Sequence, residues 1–224
     1  MISIIVPVLN EAKAIASLIA DVEGQPGAKE LIVVDGGSTD GTAEMLDGRG
    51  RLMRSGPGRA KQMNLGASAA KGNILLFLHC DTRLPPGALA RIQEAMRDPK
   101  VAGGAFTHRF DKDGWYSRFI SLSANTRGRL FKLFLGDQAI FVRRETFRAV
   151  GGYRELPIFE DLDLSSRLRA AGRLTMLDDA IRTSARRIER WGKGKSFQIW
   201  WGLSALYMLG VPPSKLSRYY NDVR

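Results

Sequence analysis

Several things are scarce in this 224-residue chain, and each absence narrows its reading. There is one cysteine, Cys80, so no internal disulfide can form, which fits a reducing compartment. No uninterrupted apolar stretch reaches the roughly 20 residues that span a bilayer. The N-terminus opens on the strand-like run Ile2-Ser3-Ile4-Ile5-Val6, with neither a basic leader nor a small-residue cleavage site, so no signal peptide is expected. No low-complexity tract and no internal repeat interrupt the pattern. Missing too, after the first apolar run, is a Gly-x-Gly-x-x-Gly turn or a P-loop. Pro7 stands where such a turn needs backbone freedom and an N–H. A dinucleotide-binding dehydrogenase and a P-loop NTPase are thereby disfavoured, and a cytoplasmic protein is expected.

What is present is ordinary in amount and uneven in placement. With 44% hydrophobic and 25% charged residues, the chain has the material for one folded core. The net charge of +11 sits in the second half: residues 1–100 hold 12 Lys+Arg against 11 Asp+Glu, and residues 101–224 hold 22 against 12. Such a field attracts anions, whether phosphates, anionic lipid surfaces or nucleic acid.

Short continuous apolar runs at 2–6, 31–34 and 74–78 read as buried parallel strands, with a further short strand near 51–54. Helical segments near 12–22, 40–46 and 59–70 separate them, and the alternation predicts a mostly parallel sheet with helices on both faces. Further on, the pattern predicts a helix at 87–97, a strand at 101–109, a helix at 115–133, a strand at 138–142, a helix ended by Gly151-Gly152, another from Phe159 to Gly172, and a strand at 173–177. The run Ser196–Leu209 is apolar on nearly all sides, rich in aromatics and flanked by Lys193, Lys195, Lys215 and Arg218. It reads either as an interfacial helix at a lipid surface or as one packed on the core or on a second copy, giving a homodimer.

In open α/β sheets, ligands bind beyond the carboxyl ends of the strands. Three strand ends carry polar groups here: Asn10-Glu11, then Asp35-Gly36-Gly37-Ser38-Thr39-Asp40, then His79-Cys80-Asp81. Asp35 and Asn10 suit a base or ribose, although Asp-Gly-Gly-Ser is also an ordinary turn. Arg59 and Lys61 open the helix before the fourth strand, as anion ligands or as solvated charge. Arg182, Arg186 and Arg187 offer guanidinium groups suited to phosphate, or form a basic surface.

The series Val6-Pro7-Val8-Leu9-Asn10-Glu11, Val34-Asp35-Gly36-Gly37-Ser38-Thr39-Asp40-Gly41-Thr42, His79-Cys80-Asp81, Gly136-Asp137-Gln138 and Phe159-Glu160-Asp161 resembles the family 2 glycosyltransferases of the GT-A fold, over about residues 2–170. The resemblance implies a GT-A domain at 1–190, its donor half at about 1–100 and its acceptor half at about 101–190, with 191–224 as a helical appendage. It implies transfer from a nucleotide-diphosphate sugar, expected to be a UDP-sugar, with inversion, to a hydroxyl or lipid-linked acceptor. Pro7, Asn10, Glu11, Asp35, Gly37 and Ser38 would line the donor pocket, with Arg59 and Lys61 nearby. Asp81 would close a D-x-D-like motif and bind a divalent metal, Mn²⁺ or Mg²⁺, bridging the diphosphate. This sequence departs from the pattern at His79, where an acidic residue is usual; the imidazole is a second metal ligand, a sugar contact or a structural histidine. Gly136, Asp137 and Gln138 would contact the acceptor. The resemblance makes Asp161 the base that takes the acceptor proton, with Glu160 beside it; the bland alternative is that both cap a helix N-terminus. A peripheral position at the inner face of a membrane follows from the basic apolar tail, and no nucleic acid is expected as partner. Two other readings compete: a nucleotidyltransferase that makes sugar nucleotides, and a non-catalytic basic module.

Overall fold

The computed structural model describes residues 1–46 and 48–220. Strand β1 (Ile2–Val8) is buried at all seven positions because it lies inside the sheet with a layer on each face. It pairs in parallel with β2 (Lys29–Asp35) and with β4 (Ile74–Phe77), and β3 (Arg51–Arg54) extends the sheet beyond β2. Proline within a central strand removes a ladder bond. Here β4 pairs only with Ile2–Ile5, so Pro7 lies past the end of that neighbour. The second half continues the same sheet. Strand β7 (Phe141–Arg143) runs antiparallel to both β4 and β6 (Val101–Phe110); β8 (Arg173–Thr183) runs parallel to β6, and β5 (Thr82–Arg83) closes the edge. The order is β3-β2-β1-β4-β7-β6-β8-β5.

The two-residue period of β1 divides the core. Ile2, Ile4, Val6 and Val8 join Ile15, Leu18 and Ile19 of α1 (Ala12–Glu23) and Leu89 and Ile92 of α3 (Ala88–Ala95) on one face. Ile5 joins Ala60, Met63 and Ala67 of α2 (Arg59–Ala69), Phe147 of α5 (Arg144–Ala149) and Leu164 and Leu168 of α6 (Glu160–Ala171) on the other. Helix α4 (Trp115–Phe131) packs along β6. The expected α/β sheet with helices on both faces is therefore what forms.

Some elements differ from the pattern. The expected helix at 40–46 is a single 3₁₀ turn, Glu44–Leu46. Asp40 accepts the Thr42 N–H at 3.1 Å, as a local cap would, but it also accepts the Ala12 N–H at 3.0 Å, and Thr42 Oγ1 accepts the Glu11 N–H at 2.9 Å. The expected strand at 138–142 starts only at Phe141; Gly136–Gln138 is a 3₁₀ turn, and Ala139 (φ 50°) is left-handed, which no strand accommodates. Strand β8 runs to Thr183, well past the expected 173–177. The apolar tail is not one helix. Helix α7 (Arg186–Phe197) kinks at Gly192, and a π-helical turn (Gln198–Leu203), α8 (Ser204–Met208) and α9 (Pro213–Leu216) follow. One side of this tail forms a small core of Ile199, Leu203 and Leu216 with Ile158. Its other side leaves Leu206, Met208 and Leu209 exposed. Residues 221–224 of the expected appendage lie outside the described residues. Among the described residues, no helix is long and apolar enough to cross a membrane.

Candidate active site

The carboxyl ends of β1, β2 and β4 share one edge of the sheet, and Gln62 fixes their spacing. This side chain, buried in α2, donates to the Val8 and Val34 carbonyls at 2.8 and 2.7 Å. The Val8 carbonyl also accepts the Gly36 N–H at 2.9 Å, so Gln62 uses its second lone pair and cross-links the two strand ends. The following loops are laced together by side chains. The Asp35 carboxylate accepts the Ser38 N–H at 3.0 Å, Asn10 Oδ1 accepts the Thr39 N–H at 2.9 Å, and the Asn10 N–H donates to Ser38 Oγ at 2.9 Å. Asn10 sits at φ 56°, a conformation that asparagine tolerates better than most residues.

Beside this edge lies a narrow crevice lined by Pro7, Leu9, Glu11, Gln62, Asp81 and Arg186, among others. Arg186, the first residue of α7, donates to both Glu11 oxygens at 2.8 and 2.7 Å and lies 3.1 Å from Asp81 Oδ2. The two carboxylates hold its charge firmly, so it titrates well above an ordinary arginine. Burial and the same carboxylates push the Cys80 thiol up, leaving it inert at neutral pH.

Arg59, His79 and Arg187 line this crevice and also a second, much larger hollow of about 670 Å³ that runs outward under the C-terminal helices. At the junction the chain packs tightly. A Cβ added to Gly136 would lie 2.5 Å from His79 Nε2 and 3.5 Å from Asp161 Oδ2, so only glycine fits. The Gly136 N–H donates to Asp161 Oδ2 at 2.6 Å, and the Leu162 N–H donates to Asp161 Oδ1 at 2.8 Å. These two bonds favour the carboxylate, but burial and the neighbouring Glu160 outweigh them, and the Asp161 pKa rises to about 7. Glu160 is buried 3.7 Å from Arg59. Burial, helped by Arg59 and Arg187, lowers the His79 pKa to about 4, so its imidazole is neutral at physiological pH. Phe159, which introduces Glu160 and Asp161, is left-handed (φ 63°), an unfavourable state for an aromatic residue. Its ring stacks on Tyr207 of α8, with centroids 5.0 Å apart, so the tail braces the turn that carries Asp161.

The structure brings Pro7, Glu11, Arg59, His79, Asp81, Arg186 and Arg187 to the crevice, and Asp137, Glu160 and Asp161 to the hollow. Asp35 is buried at the same sheet edge, opposite Val8, with its carboxylate committed to Ser38; Gly37 and Ser38 complete that turn and Asn10 ties it down. Gln138 is fully buried, its Oε1 accepting from the Leu135 N–H and from Arg127. Two expected residues are not brought in. Arg182 points to solvent, because in β8 it alternates with buried Ile181 and Thr183. Lys61 is exposed, since on α2 it lies off the face shared by Arg59 and Gln62 at i and i+3. Gln62 itself went unread in the sequence, although that three-residue spacing from Arg59 marks it. His108 and Tyr207 went unread as well.

No three His, Cys, Asp or Glu side chains converge as a metal cage among the described residues. Asp81, the residue expected to hold a divalent ion, has its Oδ2 3.1 Å from Arg186. One protein carboxylate completed by substrate phosphate oxygens and water is a set that Mg²⁺ accepts. His79 Nε2 packs against Gly136, 2.5 Å from where a Cβ there would stand.

A sequence model for glycosyl transferase family 2 matches residues 3–150. The chain belongs to that family. A PGL/p-HBAD biosynthesis glycosyltransferase of Mycobacterium tuberculosis is 33% identical over 170 residues, which span 68% of this chain and 63% of that one. An undecaprenyl-phosphate 4-deoxy-4-formamido-L-arabinose transferase of Sodalis glossinidius is 26% identical over 166 residues, 68% of this chain and 46% of that one. The match thus spans less than two thirds of these curated relatives. Among solved structures, the mannosyltransferase PcManGT of Pyrobaculum calidifontis, in complex with GDP-Man and Mn²⁺, superposes with a TM-score of 0.72 at 19% identity, over 97% of this chain and 68% of that one. S. aureus TarS 1-349, in complex with UDP-GlcNAc, gives 0.61 at 20% identity, over 83% and 58%. This family 2 chain therefore has the GT-A glycosyltransferase fold.

Proposed function

We propose that the protein transfers a sugar from a nucleotide-diphosphate donor, with a UDP-sugar the first choice, to an acceptor hydroxyl at Asp161, with inversion at the anomeric carbon. The observation that carries this reading is the junction at Gly136. There a carboxyl group clasped by two backbone N–H groups, with a pKa of about 7, stands where a phosphate-suited crevice meets a hollow able to hold an acceptor. A base with a pKa near the working pH is the most effective proton acceptor. The acceptor hydroxyl gives its proton to Asp161 as its oxygen bonds to the anomeric carbon. The bond from that carbon to the diphosphate breaks on the opposite side, and one displacement inverts the centre. The Arg186 and Arg187 guanidinium groups receive the departing phosphates, Arg186 exchanging carboxylate partners for phosphate oxygens. A divalent ion held by Asp81 and the donor would add further positive charge at the leaving group. That similar structures hold GDP-Man with Mn²⁺ and UDP-GlcNAc supports this donor class and this use of metal.

The tail supplies the place of work. Leu206, Met208 and Leu209 of the tail and Trp115, Leu122 and Leu130 of α4 are exposed, Leu122 and Met208 share the mouth of the hollow, and the tail carries Lys193, Lys195, Lys215 and Arg218. Exposed apolar side chains on a basic segment suit peripheral binding at an anionic membrane face. Incubation with a panel of UDP- and GDP-sugars, with and without Mn²⁺, should release UDP or GDP once an acceptor alcohol is supplied. Release of pyrophosphate in place of nucleoside diphosphate would point to a nucleotidyltransferase and overturn the reading.

A further inference from the structure

The 670 Å³ hollow reaches from His79 and Asp161 to an open mouth at Leu122 and Met208. Its walls are almost wholly apolar: Phe119 and Leu122 from α4 face Ile199, Trp200 and Met208 from the tail. Its volume lies in the range of sites that enclose a whole small molecule. The inner end is different. His108, 1% exposed, offers Nε2 there, and Asp137 offers Oδ1; among the described residues, neither of these buried atoms has a hydrogen-bond partner. Buried polar atoms in native proteins are nearly always satisfied, so two on one wall point to a polar group of an occupant. Burial keeps the His108 imidazole neutral, and it leans on Ser121 through Nδ1 at 3.2 Å.

The cations of this region already have partners, and Arg127 shares its charge with Asp137 and Asp161. Arg127 donates to the Leu133 carbonyl and to Gln138, Arg59 faces Glu160, and Arg187 donates to the Tyr220 hydroxyl. Arg59 and Arg187 also line the donor crevice, where a diphosphate would take their charge. An acceptor head in the hollow therefore meets the Asp137 and Asp161 carboxyl groups, which the single Arg127 charge offsets only in part, and a neutral imidazole. That set welcomes O–H donors and repels a second phosphate.

Resting on the transferase reading, we propose that the hollow is the acceptor subsite and that its substrate class is an uncharged apolar alcohol. Its hydrocarbon body lies between α4 and the C-terminal helices, its nucleophilic hydroxyl meets Asp161, and a polar group beside that hydroxyl meets His108 and Asp137.

Titration of the whole chain with 1-hexanol, 1-octanol, 1-decanol and n-decyl phosphate, followed through the fluorescence of Trp200 and Trp201, tests this. Each added methylene should tighten binding about three- to fourfold, and decanol should bind at least about tenfold more tightly than decyl phosphate. Met208→Arg, at the exposed mouth, should weaken decanol at least about tenfold while leaving UDP or GDP binding unchanged. Affinity that does not depend on chain length, or decyl phosphate binding as tightly as decanol, overturns the proposal. The separate nucleotide titration tests the transferase reading: absent UDP and GDP binding sinks that reading alone, whereas absent chain-length dependence with intact nucleotide binding sinks only the acceptor class.

Discussion

Asp161→Asn separates catalysis from stability in a way that a capping role does not allow. Burial and Glu160 raise the Asp161 pKa from 3.8 to about 7. A carboxyl group raised in the folded state stabilises the fold fully below its unfolded pKa, and that contribution is lost as pH rises to the folded pKa. At about 1.4 kcal/mol per pH unit, the loss between pH 4 and pH 7 comes to about 4 kcal/mol. Between pH 5 and pH 8, most of the fall lies below pH 7 and amounts to about 3 kcal/mol. Asparagine has nothing to ionise, so the variant lacks this slope. It keeps one acceptor oxygen for either the Gly136 or the Leu162 N–H and sets its NH₂ against the other, at a cost of about 1–3 kcal/mol.

The stability of Asp161→Asn relative to the parent should therefore rise by about 3 kcal/mol from pH 5 to pH 8, whatever its value at pH 5. Urea denaturation of both proteins at pH 5, 6, 7 and 8 measures this directly. Over the same series, transfer by the variant should fall about 10²- to 10⁴-fold, the usual contribution of a positioned base. Parallel stability curves, with no gain by the variant as pH rises, would refute the raised pKa. A variant that transfers sugar at the parental rate would refute the base.

Parental transfer, measured as nucleotide release at saturating donor, should decline about tenfold for each pH unit below about 7, as Asp161 takes up its proton. Gly136→Ala places a methyl group 2.5 Å from His79 Nε2; it should lose about 100-fold in transfer through displaced geometry and about 1–3 kcal/mol in a thermal melt, and a neutral outcome would deny the close packing at the junction. Gln62→Leu removes a donor from the Val8 carbonyl, which keeps the Gly36 N–H, and another from the Val34 carbonyl; it should destabilise by about 1–3 kcal/mol, read from the urea midpoint. Arg186→Ala leaves Glu11 and Asp81 facing an incoming diphosphate without their shared guanidinium, so UDP or GDP affinity should weaken at least about tenfold in calorimetric titration; an unchanged affinity would place the donor elsewhere.

What the sequence revealed, and what it hid, follows from the range over which each signal acts. The sheet was legible because β1, β2 and β4 are continuous apolar runs, and burial on both faces demands that composition whatever else the chain does. The strand-end polar groups were legible as neighbours, since parallel strands put their carboxyl ends at one edge, although Asp35 spends its carboxylate on the Ser38 turn. The 40–46 helix failed because Asp40 looks like a local cap, yet besides the Thr42 N–H it holds the backbone of residue 12, and Thr42 holds that of residue 11. No window of sequence records which N–H a side chain will find. Arg182 failed through parity, for the length of β8 decides which side of the strand it takes, and the arginine run blurs the apolar alternation that would show it.

The hollow was least legible of all. Its walls come from α4 and from residues 199–208, segments some 70 residues apart in the chain that read separately as a helix with arginines and an apolar tail. Each segment leaves part of its apolar surface uncovered, and only the return of the chain past Phe159 sets those surfaces across from one another above Asp161. The stacking of Phe159 on Tyr207, beside the small core of Ile158, Ile199, Leu203 and Leu216, ties this return to the left-handed residue at the turn that introduces Asp161. The tail thus walls the hollow and steadies the Asp161 turn, and its first helix brings Arg186 to the crevice; on the proposed reading these are the acceptor and donor sides.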